Sequence, residues 1–130
     1  MSEKRVVRSE AAPAPFQGAP YSQAIAAGGL VFVSGQLGLK PGETTLERNG
    51  IEAQTRQVLE NMSVILEQAG SGLDRLLKTT VFLAYLADFA AMNGVYADYV
   101  GARPPARATV QVAALPSGAL VEIDAVALVE

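Results

Sequence analysis

The chain has no cysteine and no histidine in its 130 residues. Without cysteine there is no disulfide, no thiol nucleophile and no thiolate metal site. Without histidine the usual general base and the commonest metal ligand are missing too. Charge is sparse: 18% of residues carry it, and a net −3 leaves no basic footprint for nucleic acid. No apolar segment approaches the roughly 20 residues of a membrane span. The opening Met1-Ser2-Glu3-Lys4-Arg5 lacks the apolar stretch of a secretory leader, so the cytoplasm is the expected compartment. No cofactor is expected. Catalysis by this chain must run on carboxylates, hydroxyls, Tyr, Arg, Lys, backbone groups and water. Such a set suits a reaction in which bound water attacks better than it suits acyl transfer or metal hydrolysis.

What is present is half hydrophobic by count, which argues against disorder. The length predicts a single domain over 1–130, burying about two-thirds of its unfolded surface. Arg5 to Arg8 reads as an edge strand, and Pro13, Pro15, Gly18 and Pro20 as an ordered loop. Tyr21 to Ala27 and Leu30 to Gly35 read as strands joined at Gly28-Gly29, with Ser34-Gly35 as a strand-end turn. Ile51, Val58, Met62, Ile65, Leu66 and Ala69 recur at helical spacing, and Gly70 and Gly72 end that helix. Leu76 to Leu83 is continuous enough in apolar character for a central strand. Asp88 is placed to cap a second helix carrying Phe89, Met92, Tyr96 and Tyr99 on one side, with Gly101 closing it. Arg107 to Ala113 and Leu120 to Val129 read as a final hairpin around Pro116. The pattern is α+β: one mixed sheet with two helices packed on one face.

The last quarter says most about function. Arg107 is the only cation between Pro104 and Glu130, set in an almost wholly apolar run. A guanidinium entering a core-forming strand must be paired, either by an internal carboxylate or by a small carboxylate ligand that its planar fork holds bidentately. Alternation sets Ala108, Val110 and Val112 against Arg107, Thr109 and Gln111. In the closing strand it sets Val121, Ile123, Ala125, Ala127 and Val129 against Glu122, Asp124, Val126 and Leu128. The first set of each strand is expected to pack on the helices. The other face then has no helix left to cover it, and a second copy of the chain is the simplest cover. In the predicted hairpin Arg107 lies on the order of 13 Å or more from Glu122, so a ligand touching both calls for a site shared between subunits. Asp124 reads as structural. Lys78, in the central strand, reads as reaching a surface or interface partner rather than as a Schiff-base lysine.

Taken in order, several segments closely resemble the RidA/YjgF family of reactive-intermediate deaminases. They are Ala19-Pro20-Tyr21-Ser22-Gln23-Ala24, Val33-Ser34-Gly35-Gln36, Asn61-Met62, Lys78-Thr79-Thr80-Val81-Phe82-Leu83, Pro105-Ala106-Arg107, Ala113-Ala114-Leu115-Pro116 and Val121-Glu122-Ile123-Asp124-Ala125-Val126. The resemblance runs from about Ala12 to Val129 and implies a chorismate-mutase-like (YjgF) fold. It also implies a homotrimer around a central barrel, with ligand clefts between subunits; the charge balance and the lack of a span, for their part, argue for no nucleic-acid and no membrane partner. It assigns Arg107 to the substrate carboxylate and carries over Tyr21, Ser34, Gly35, Asn93, Thr109 and Glu122 as cleft residues. Thr109 stands where many bacterial members have cysteine, and Ala19 where a glycine is common; both bear on substrate range rather than on reaction class.

The implied reaction is hydrolysis of 2-imino or 2-enamino acids of the 2-aminoacrylate type to 2-oxo acids and ammonia. Glu122 orients the attacking water and acts as general base. Two other readings stay open on sequence: a non-catalytic trimer that binds or senses small oxo acids through Arg107, and a chaperone-like or RNA-cleaving protein, against which the acidic balance weighs.

Overall fold

The long helix forms where apolar residues recur every three to four positions. In the computed structural model, which describes residues 3–129, it is α1, Gly50–Gln68. Val58, Leu59, Met62, Ile65 and Leu66 are its fully buried stripe. It ends as the glycine predicts. Gly70 adopts φ +85°, its N–H reaching Glu67 O and that of Ser71 reaching Leu66 O, a Schellman closure. The second helix, α2 (Phe89–Val100), follows a 3-10 turn at Leu86–Asp88 and stops at Gly101, φ +76°. Asp88 occupies its N-cap position but makes no capping hydrogen bond. The preceding turn holds its backbone near φ −83°, ψ 2°, outside the extended conformation a capping side chain needs.

Six strands form one mixed sheet: β1 (Arg5–Val7), β2 (Ala24–Ala27), β3 (Leu30–Gln36), β4 (Leu76–Leu83), β5 (Ala106–Gln111) and β6 (Val121–Leu128). Their order is β1-β2-β3-β6-β4-β5. β2 and β3 make the expected hairpin, with Gly28 and Gly29 both at positive φ (61° and 79°), as its tight turn requires. β2 starts at Ala24, so Tyr21 lies in the loop before it.

The final hairpin does not form. β5 pairs in parallel with β4 across the α2 crossover, and β6 inserts antiparallel between β3 and β4. β6 alternates, with Val121, Ile123, Ala125 and Ala127 buried and Glu122 and Asp124 on the other face, and the connection after β5 carries the chain past β4 to reach its central slot. β5 is left at the sheet edge.

Both helices cover one face, where Val31, Val33, Val81, Leu83, Val121, Ile123, Ala125 and Ala127 are buried with them. β6 thus faces as predicted, but β5 is reversed. Arg107 pairs with Thr79, whose hydroxyl bonds the buried Tyr96 of α2, so Arg107 and Thr109 turn toward α2 and Ala106, Ala108 and Val110 turn away. The other sheet face carries Phe32 of β3, Glu122, Asp124 and Val126 of β6, and Val110 of β5. Phe32 and Val110 are exposed there. No helix among the described residues is long and apolar enough to cross a membrane.

Candidate functional site

The seven residues singled out from the sequence fall into two groups, one on each side of the sheet. On the open side, β3 carries a β-bulge between Val33 and Gln36, opposite Ala125 to Ile123. The extra residue returns Gln36 to the helix face, where it is buried, and its Nε2 donates to Ser34 O at 3.0 Å. Ser34-Gly35 is therefore not a strand-end turn but a bulge within β3, a device that re-aims side chains beside functional sites. It brings Gly35 directly beneath the Glu122 carboxylate. A Cβ built on Gly35 would collide with the Glu122 carboxyl, so only glycine leaves that side chain where it stands. Ser34 Oγ donates to Ser22 O at 2.6 Å, fixing the start of β2 against β3.

Tyr21, Ser34, Gly35 and Glu122 line one cavity of about 620 Å³, completed by Phe16, Leu37, Leu39 and Pro116 among others. Burial holds the Glu122 carboxyl above the usual carboxylate range, and the neighbouring Asp124 charge pushes the same way. A half-buried carboxylate with a raised pKa is a stronger proton acceptor than an exposed one. Tyr21 accepts the Phe16 N–H at 2.5 Å through its hydroxyl, so its position is tied to the 13–18 loop.

On the helix side, Phe89, Asn93 and Tyr96 recur at i, i+4 and i+7 along α2 and form one stripe facing β5. The Arg107 guanidinium lies 4.8 Å from the centroid of Tyr96 and 5.5 Å from that of Phe89. Among the described residues no carboxylate lies within salt-bridge distance of it; the ion pair found among them is Lys40–Glu47. The internal carboxylate partner that the sequence left possible is thus not found among the described residues, and two ring faces stabilise the charge instead. Asn93 and Arg107 share a cavity of about 370 Å³. Asn93 Oδ1 and Thr109 Oγ1 are buried without a hydrogen-bond partner among the described residues. Unpaired buried polar atoms clustered around an unpaired cation are costly unless something else binds there.

The two groups do not meet in one subunit. Arg107 pairs with Thr79 and Thr79 with Ala125, so Glu122 lies three residues along and two strands across. That is about 14 Å between Cα atoms, with side chains on opposite faces. The separation expected from a hairpin is therefore real, but its cause is the position of β5 at the far edge of β4.

Phe89 and Tyr96 were legible in the sequence as helix-face apolar residues that, with Asn93, share in the family resemblance, but not as a bed for Arg107. The signal that would have marked them is their spacing around Asn93, aimed at a strand whose sole cation had no partner. Lys78 is exposed, as expected.

The mixed six-stranded sheet, the two helices on one face and the bulge carrying Ser34-Gly35 define the α+β architecture of the YjgF type. A family model described as Endoribonuclease L-PSP matches residues 10–129, so the chain belongs to the RidA/YjgF family. It is 50% identical to the chloroplastic Reactive Intermediate Deaminase A of Arabidopsis thaliana, over 96% of this chain and 66% of that protein. It is 41% identical to the human 2-iminobutanoate/2-iminopropanoate deaminase, over 96% of this chain and 90% of the other. A solved Rid-family structure from Yersinia pestis superposes with a TM-score of 0.91 at 45% identity, covering 98% of this chain and 100% of that one.

Proposed function

We propose that this protein hydrolyses 2-imino acids to 2-oxo acids and ammonia, in clefts formed where copies of the chain meet as a homotrimer. The observation that carries the reading is Arg107: a guanidinium stacked on two aromatic rings, without a carboxylate partner among the described residues, beside the orphaned Asn93 and Thr109. An external carboxylate completes it, held by two parallel N–H···O bonds. The names of the curated Arabidopsis and human relatives point to the same substrate class.

In a cleft joining the Arg107 face of one subunit to the Glu122 face of the next, the substrate is anchored by its carboxylate, and its imine carbon is presented to a water held by Glu122. Glu122 takes a proton as the water oxygen bonds to that carbon, and the C=N π pair moves onto nitrogen. Glu122 returns that proton to nitrogen, giving the carbinolamine; it then takes the hydroxyl proton and passes it to nitrogen, and the C–N bond breaks as the C=O bond forms and ammonia departs. One water enters and one ammonia leaves. Imines hydrolyse unaided in water, so placement and a single proton acceptor suffice. The exposed apolar residues on the open sheet face, Phe32 and Val110, support its covering by other copies.

The test is a coupled assay in which an amino-acid oxidase generates the imine beside a semicarbazide trap. Wild type accelerates imine loss and Arg107→Ala lowers kcat/KM about 100-fold or more, the loss of two charge-assisted hydrogen bonds. No acceleration by folded wild type with any imine sinks the reading.

A further inference from the structure

Resting on the deaminase reading, we infer that the Glu122 cavity contains a preformed apolar subsite, walled by Phe16, Leu37 and Leu39, that takes the substrate's side chain. It favours imines with branched or aromatic side chains, as derived from leucine or phenylalanine, over 2-iminopropanoate.

Size supports this first. The cavity measures about 620 Å³ within one subunit, in the range of sites that enclose a whole small ligand. A methyl group beside Glu122 would leave most of that wall without contact. Chemistry agrees: beyond the Glu122, Ser34 and Tyr21 end the lining is uncharged and mostly apolar, Phe16, Leu37, Leu39 and Pro116 among it, with Gln17 its one polar side chain.

The decisive feature is that both walls are fixed from behind by buried amides. Gln23, 4% exposed, accepts the Ser9 N–H at 2.7 Å and donates to Pro13 O at 2.7 Å and Ser9 O at 3.0 Å. It clamps the loop that carries Phe16, and Tyr21 Oη holds the Phe16 N–H. Asn61, 1% exposed, donates through one Nδ2 to Leu37 O at 3.2 Å and Leu39 O at 2.8 Å, with Gln57 orienting its amide. The same rim contains left-handed backbone at a residue other than glycine, Gln17 (φ 55°), a conformation kept only where surrounding contacts enforce it. An apolar wall that is already ordered loses little entropy when a side chain packs on it.

The experiment compares kcat/KM for imines generated by amino-acid oxidases from leucine, phenylalanine and alanine. Isothermal titration of the corresponding 2-oxo acids runs in parallel. Wild type prefers the leucine-derived imine over the alanine-derived one by about tenfold or more, since each added methylene in a fitted pocket is worth about 10-fold to 200-fold. Phe16→Ala, which removes a wall, and Ala14→Leu, which fills the space, each lower that ratio; circular dichroism and melting check that both variants fold. A wild-type ratio near one, or a ratio that neither variant moves, overturns the subsite. If no imine is hydrolysed but 4-methyl-2-oxopentanoate binds about tenfold tighter than pyruvate, the deaminase reading fails while the subsite stands. Equal binding of the two oxo acids in that case removes the subsite as well.

Discussion

The two sides of the sheet solve different problems. Around Glu122 the chain finishes its own work: the bulge seats Gly35, Ser34 is hydrogen-bonded, and Gln23 and Asn61 hold the loops from within. Around Arg107 polar groups are left open, with a cation resting on rings and two buried oxygens unanswered. On the proposed reading the first side positions a reacting water and the second receives a charge from outside. A hydrogen-bonded frame on one face and unanswered polar groups on the other are what the proposed site, assembled from two subunits, asks of each.

The comparison is broken most severely by Glu122→Gln. If the Glu122 side performs the proton transfer, kcat falls by about 100-fold to 10,000-fold, while titration calorimetry finds oxo-acid affinity, which depends on Arg107, nearly unchanged. The pH dependence has a definite sign. Because the folded-state pKa of Glu122 is raised, stability drops as pH rises from the ordinary carboxylate value through the raised one. Urea unfolding should then show Glu122→Gln as stable as wild type or more so at neutral pH, the difference vanishing once acid protonates the wild-type side chain. Activity of wild type should fall on the acid side through the same raised pKa. A kcat insensitive to this substitution removes Glu122 from the proton transfer.

A smaller effect is expected from Gly35→Ala. The added methyl occupies the place of Glu122 Oε2, so the carboxylate must swing away. A displacement of about 1 Å at a reacting group costs up to about 100-fold in rate, and overpacking costs about 1–3 kcal/mol in stability. A crystal structure of the variant with Glu122 unmoved would contradict this account of the bulge.

The mildest change sharpens the other side. Tyr96→Phe removes the 2.6 Å bond to Thr79 but keeps the ring under Arg107. Thermal unfolding should register about 0.5–1.5 kcal/mol, with KM little altered. A large rise in KM would mean the hydroxyl, not the ring, holds the guanidinium in place.

Much of this was readable from the sequence because the signals were local. Helix spacing in α1, the double glycine of the first hairpin, the apolar continuity of β4 and the facing of β6 each depend on a few adjacent residues. What misled was pairing. Nothing local in Arg107–Ala113 distinguishes a strand that turns back on its successor from an edge strand placed by a crossover, and that choice reversed which face Arg107 occupies. The cleft residues themselves were named through family resemblance. Their division between two faces, the aromatic bed under Arg107 and the amides behind the loops depend on contacts between distant segments, to which periodicity is blind.

The bulge in β3 has one more implication. Val31 and Val33 face the core at alternate positions, and Gln36 rejoins that face although two residues, not one, lie between, because the bulge absorbs the extra one. The strand is read in two phases, switched at Ser34-Gly35. What aims the Glu122 cavity is thus partly a matter of counting. A shortening by one residue there would barely alter composition or hydropathy and would leave Gln36 on the core face by plain alternation, yet it would erase the bulge that seats Gly35 beneath Glu122, so this stretch is constrained in length as tightly as its neighbours are in kind.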